Sequence, residues 1–166
     1  MKRALAALLA VAVAVALGLC LRRFGVGTLK VAGASMRDTL QSGDIALVTR
    51  FDYRSGPPGR GDVVECRFPG RADTYVKRVV GLPGDDIAFF GGALTVNGKA
   101  VREDYVSSPT GDYAVRLGED EYLVLGDNRA ESYDGRMDDM GPIGADAFLG
   151  RVRWVLWPLN RFGAVN

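Results

Sequence analysis

The 166-residue sequence contains no histidine. That absence removes Ser-His-Asp and Cys-His catalysis, and most zinc sites, in one step. Cysteine is nearly absent too. Cys20 lies in an apolar N-terminal run and Cys66 in a strand-like segment, so no disulfide between them, no disulfide framework and no Cys-x-x-Cys pair is expected. Lysine is confined to Lys2, Lys30, Lys77 and Lys99; every other basic residue is arginine. The sequence also lacks a charge excess. With 21 basic and 20 acidic residues the formal net charge is +1, which gives a nucleic-acid partner no electrostatic support. Internal repeats and low-complexity tracts are missing as well.

What the sequence does have begins at its N-terminus. Lys2 and Arg3 precede residues 4–21, eighteen positions without a charge, and Arg22 and Arg23 follow. As a helix this run would be roughly 27 Å long, against a hydrocarbon core of about 30 Å. Basic residues at both ends can reach the headgroups. A single membrane-spanning anchor over residues 1–23 is therefore expected, with a lipid bilayer as partner. A cleavable secretory signal competes, through Ala12-Val13-Ala14 and Ala14-Val15-Ala16, but those sites lie inside the apolar run. A lipoprotein signal at Cys20 is weakened by Leu19, where a small residue is needed. A buried helix of a soluble domain would keep one polar stripe, and this run has none. Because both flanks are basic, the positive-inside rule does not orient the helix.

Residues 24–166 read as one β-rich domain. Alternating apolar stretches at 28–32, 44–50, 62–68, 74–80, 86–90, 93–96, 99–101, 121–125 and 149–156 are separated by Gly, Pro, Asn and Asp. Asn97-Gly98 signals a two-residue hairpin turn. Residues 54–60 and 107–112 read as loops. A mainly β, barrel-like domain behind one N-terminal helix is the expected fold.

Five stretches carry chemistry. Gly33-Ala-Ser35-Met36-Arg-Asp-Thr39-Leu40 is followed by Ser42-Gly-Asp44-Ile-Ala-Leu-Val48. Next comes Tyr75-Val-Lys77-Arg78-Val-Val-Gly81-Leu-Pro-Gly84-Asp85, then Leu125-Gly126-Asp127-Asn128-Arg129-Ala-Glu-Ser132-Tyr-Asp134-Gly-Arg136. Gly150-Arg-Val-Arg-Trp-Val-Leu-Trp157-Pro158 is the last. A serine hydroxyl needs a base before it attacks, and an isolated Gly-Ala-Ser would more ordinarily be a turn. Without histidine the base must be a lysine or a carboxylate. A lysine serves when burial depresses its pKa. In a strand, Lys77 shares a face with Tyr75 and Val79 while Arg78 points the other way. The plain alternative is a solvated strand lysine, and Lys30, five residues from Ser35, is another candidate base.

In order and spacing these stretches resemble the successive boxes of the bacterial type I signal peptidase family. The resemblance spans nearly the whole β-rich part and includes the N-terminal anchor. It implies a Ser/Lys serine endopeptidase that removes signal peptides from exported preproteins, with Ser35 as nucleophile and Lys77 as general base. It further implies no metal and no organic cofactor, A-x-A-like cleavage sites, and a plasma-membrane protein whose catalytic domain lies on the outer face. Ser132 would hold the Lys77 amine, and Asp134 with Arg136 would form an ion pair bracing a polar loop that includes Asp127, Asn128 and Arg129. Met36 would be a packing neighbour facing the membrane-proximal surface. The Ser35 backbone N–H would be one oxyanion donor, whereas Gly33 stands where one branch of the family has a serine as the second.

The sequence departs from the family at Asp38, which replaces an expected proline. A carboxylate there could favour protonated Lys77 and oppose catalysis. Two other readings therefore stand beside the peptidase. One is a self-cleaving Ser/Lys peptidase of the SOS-repressor type, which would carry a DNA-binding domain where this chain has its apolar run. The other is a non-catalytic, membrane-tethered peptide-binding paralogue. Ser35, Lys77, Ser132, Asp134 and Arg136 retained together favour the enzyme.

Overall fold

A computed structural model describes the backbone of residues 2–23 and 25–166, and side-chain exposure for these apart from residues 2–5, 17, 20–23, 54 and 55. Helix α1 spans Lys2–Arg23. Its described side chains turn every face to the surroundings: Leu8, Leu9, Val11, Val13, Val15 and Leu19 are all more than half exposed. Among the described residues, no helix is long and apolar enough to cross a membrane. The expected anchor therefore rests on the sequence of residues 4–21 as a whole. The Cys20 side chain lies outside the described residues, and Cys66 is free and buried.

Among the described residues, eleven antiparallel strands follow. The larger sheet runs in the order β1 (Val26–Lys30), β2 (Ile45–Thr49), β10 (Phe148–Trp157), β3 (Val63–Cys66), β4 (Tyr75–Gly81) and β9 (Leu123–Leu125), with β11 (Gly163–Ala164) also pairing with β10. The smaller sheet has the order β7 (Lys99–Val101), β6 (Ala93–Val96), β5 (Asp86–Phe90) and β8 (Tyr113–Arg116). The protein is mainly β, as expected, but the sheets are open. Among the described residues β1 and β9 lie at opposite ends of the larger sheet without pairing, so the expected barrel-like closure is corrected to two sheets. A short helix, α2 (Asp52–Ser55), contacts β10 and overlaps the start of the expected loop 54–60.

The β-branched and leucine-rich segments became strands because at least one of their faces finds apolar cover. On one face of the larger sheet Val64, Cys66, Phe68, Val79, Val124 and Phe148 pack together. On another, Val31, Met36, Leu40, Val48, Val63 and Val152 form a second cluster. The smaller sheet joins through Ile87, Phe89, Leu94 and Leu117, which pack on Val80, Leu123 and Leu125 of β4 and β9. Each fully buried Leu or Ile contributes about 1.5–3 kcal/mol. The whole smaller sheet is inserted between β4 and β9, which pair directly through Arg78 with Leu125 and Val79 with Val124. At the β6–β7 turn, Asn97 and Gly98 both take positive φ, 52° and 73°. This is the backbone a two-residue hairpin requires.

Candidate active site

Three segments meet where β4 passes behind the start of the β9 loop. Strand β4 supplies Lys77 and Arg78 on opposite faces, with Tyr75 and Val79 in the cluster beside Lys77 and Val76 and Val80 in the clusters beside Arg78. Residues 33–40, following β1, supply Ser35. Residues 126–136, following β9, supply the polar loop. These meet around Gly126. A Cβ there would collide with the Ser132 hydroxyl and with the Ser35 carbonyl oxygen, so only glycine permits this approach.

Lys77 is 2% exposed, and its Nζ donates to Ser132 Oγ at 3.0 Å. Burial pulls its pKa below the ordinary 10.5; Asp134 opposes this by favouring the ammonium and Arg136 adds to it. Lys30 and Lys99 are exposed. Among the lysines whose side chains are described, Lys77 alone has the desolvation a neutral amine needs. Among the described residues no hydrogen bond joins Ser35 Oγ to Lys77 Nζ. Ser35 is partly exposed on a groove of about 300 Å³, lined also by Leu29, Val31, Met36, Tyr75 and Val76.

The polar loop is closed by charge pairs. Arg136 donates through Nε to Asp134 Oδ1 at 2.8 Å and through Nη2 to the carbonyls of Arg129 and Ser132. Burial alone would raise the Asp134 pKa. Hydrogen bonds from Arg136, Ser132 and the Gly126 N–H outweigh burial and hold it below its ordinary value. Asp127 is fully buried and accepts from Arg78 Nε and Nη2 at 2.9 and 2.8 Å and from Thr39 Oγ1 at 2.5 Å. Arg78 also reaches the Gly61 carbonyl and stacks over Tyr105, 4.0 Å from the ring centroid. Arg129 forms a buried pair with Glu103 and donates to Thr110 Oγ1 at 2.9 Å. Asn128 bonds to the backbone of the Ser35 segment.

The structure thus gathers Ser35, Lys77, Ser132, Asp134, Arg136, Asp127, Asn128 and Arg129. It places Met36 differently from the expectation. Met36 is buried against Val31, Leu40 and Val63, because its flexible side chain fills the gap beneath the serine segment rather than facing an outer surface. Asp38 is exposed and is not among the leading causes of the Lys77 shift. Sequence reading did not single out the partners Arg78, Thr39, Glu103, Thr110 and Ser108. Arg78 beside Lys77 was the available signal, since a strand arginine opposite a buried lysine faces a core as well.

The sequence matches the family described as "Signal peptidase, peptidase S26" over residues 3–157. It is 36% identical to signal peptidase I of Bacillus caldolyticus, over 90% of each chain. It is 34% identical to signal peptidase I T of Bacillus subtilis, covering 91% of this chain and 84% of that protein. A probable signal peptidase I-2 of Synechocystis is likewise 34% identical, over 92% and 73% of the two chains. Among solved structures, a signal peptidase I from Enterococcus faecalis aligns with a TM-score of 0.52 at 27% identity, covering 57% of this chain and 95% of that one. Sequence and fold agree, and the chain belongs to the signal peptidase family, peptidase S26, as a serine endopeptidase of the type that removes signal peptides.

Proposed function

We propose that Ser35 is the nucleophile and Lys77 the general base of this peptidase, acting on signal-peptide-bearing preproteins at the surface of a bilayer. The observation that carries this reading is the buried Lys77 amine, held by Ser132 in the loop that closes on the Ser35 segment. Desolvation leaves the amine with an available lone pair at lower pH than an ordinary lysine. An extended substrate lies in the groove between residues 29–33 and 73–76. Its shallow apolar lining suits small side chains at the first and third positions before the scissile bond.

Ser35 Oγ attacks the scissile carbonyl and its proton passes to Lys77 Nζ. The Ser35 N–H stabilises the oxyanion, Lys77 returns the proton to the leaving amine, and a water activated by Lys77 releases the acyl group. Met36 packs beneath the serine, while Asp127, Arg129, Asp134 and Arg136 hold the loop.

Residues 1–23 form the single-pass anchor, and residues 24–166 form the peptidase domain on the outer face of the plasma membrane. Support comes from the uncharged run 4–21 and from the exposed apolar side chains of α1. It also comes from a second apolar patch, where Trp154, Trp157, Leu159 and Phe162 are each more than 40% exposed. Indole rings are at home at the headgroup level.

The test is cleavage of a preprotein bearing an A-x-A site by the full-length protein in detergent. Ser35→Ala and Lys77→Ala are each expected to abolish cleavage while the proteins stay folded. Equal cutting by either variant would remove the assignment.

A further inference from the structure

We infer that Asn128 is a positioning residue that fixes the direction of the Ser35 backbone N–H, the oxyanion donor. This rests on the Ser35/Lys77 reading above.

Asn128 grips both peptide units that flank the Ser35 α-carbon. Its Nδ2 donates to the Ala34 carbonyl at 3.2 Å, and its backbone N–H donates to the Ser35 carbonyl at 3.0 Å. The Ala34 carbonyl and the Ser35 N–H belong to one planar peptide group and point in opposite directions. Holding the carbonyl from behind therefore aims the N–H forward. Holding the Ser35 carbonyl fixes the next plane, and with both planes set the Ser35 side chain leaves the backbone in one direction. A hydrogen bond accepted by the Ala34 carbonyl also polarises the same amide, strengthening its N–H as a donor.

The grip is itself oriented. Asn128 is 5% exposed; the Ala34 carbonyl, which can only accept, takes the amide nitrogen, and Oδ1 on the other side accepts from Ser108 Oγ at 3.3 Å. Ser108 Oγ in turn accepts from the Ala130 N–H at 3.0 Å, and Ser107 Oγ donates to the Arg37 carbonyl at 3.3 Å. The loop that leads into β8 of the smaller sheet thus touches both the serine segment and the residue that holds it. Arg37 N–H is a further donor to the Ala34 carbonyl, at 3.1 Å, so removing Asn128 Nδ2 loosens that carbonyl without orphaning it.

Preorganised oxyanion donors act on the transition state and leave ground-state binding largely alone. Asn128→Ala removes Nδ2 and keeps the backbone bond. Asn128→Asp keeps the shape and the Ser108 partner but sets a carboxylate oxygen against the Ala34 carbonyl. Both variants are expected to lower kcat about 10- to 100-fold with KM within about twofold, since losing one oxyanion donor outright costs about 10²–10³. The inhibition constant of a substrate-like peptide boronate, which presents a tetrahedral oxygen anion to the same N–H, should rise in parallel with the fall in kcat. Ser108→Ala should show the same pattern at smaller size, and supplies the measurement if the Asn128 variants do not fold. Unchanged kcat, a loss lying wholly in KM, or a loss that follows lowered thermal stability while boronate affinity holds would each overturn the inference. Ser35→Ala and Lys77→Ala run beside these variants. If either cuts as the parent does, the underlying reading has failed; if both are inactive and Asn128→Ala matches the parent, only the Asn128 inference falls.

Discussion

At the residue scale, the protonation of Lys77 decides most. Because its folded pKa lies below the ordinary 10.5, kcat/KM is expected to rise with pH through that lowered value and to level off above it, read from a pH series on one peptide substrate. Stability follows the same group with a definite sign. Between the folded and unfolded pKa values the unfolded chain binds the extra proton, so stability rises with pH across that window. Below the folded value the full cost of charging a buried amine is present. Lys77→Met should therefore gain thermal stability over the parent at low pH, and the gain should shrink as pH approaches 10.5. A difference in Tm that is flat with pH would contradict this. Ser132→Ala keeps Lys77 buried but frees its amine, and a loss of about 10²-fold in kcat/KM is expected, with the acid limb of the pH profile displaced. In the sequence, strand alternation made Lys77 a candidate base beside Lys30, and the resemblance of the surrounding stretches to the signal peptidase family chose between the two. Asn128 appeared there only as one polar residue among several, since its partners lie in a different segment, 94 positions away in the case of Ala34.

At the level of elements, the strands were legible where apolar residues alternate along the segment or a hairpin turn marks its end. The segments 86–90, 93–96 and 99–101 coincide with β5, β6 and β7, and the Asn97-Gly98 turn lies where expected. Strand β8, Tyr113–Arg116, was overlooked because it is a half-exposed edge of the smaller sheet, with charge and glycine on both sides. The open form of the larger sheet was equally hidden, because strand periodicity does not say which strands pair. Two predictions belong to this scale. Gly126→Ala overpacks the meeting point of the loop and the serine segment, costing about 1–3 kcal/mol in denaturant unfolding and most of the activity. The Arg78–Asp127 pair ties β4 to that loop. Removing one partner, as in Asp127→Ala, strands a buried charge and should cost about 3–5 kcal/mol, whereas the double variant Arg78→Met with Asp127→Leu should recover part of it. Equal losses in the single and double variants would show that the pair is not what ties them.

Considered whole, the molecule carries two apolar surfaces, one on α1 and one on the side of β10 and β11. Trp154 and Trp157 are its only tryptophans, and both lie on the second surface. Their fluorescence therefore reports directly on that face. In vesicles with brominated acyl chains the tryptophan emission of the full-length protein should be strongly quenched. Emission unaffected by the bromines would mean that this side faces water.

Strand β10 lies in the middle of the larger sheet, between β2 and β3, although it is made from residues 148–157. Thr49 pairs across it with Arg151, and Val64 pairs with the same residue from the other side. During translation the ribosome therefore releases β1 to β9 before the strand that joins β1 and β2 to the rest exists. The Ser35 segment, which follows β1, and Lys77, on β4, share that sheet only once β10 is in place. Cleavage by the proposed Ser35/Lys77 pair is therefore expected to require residues 148–157.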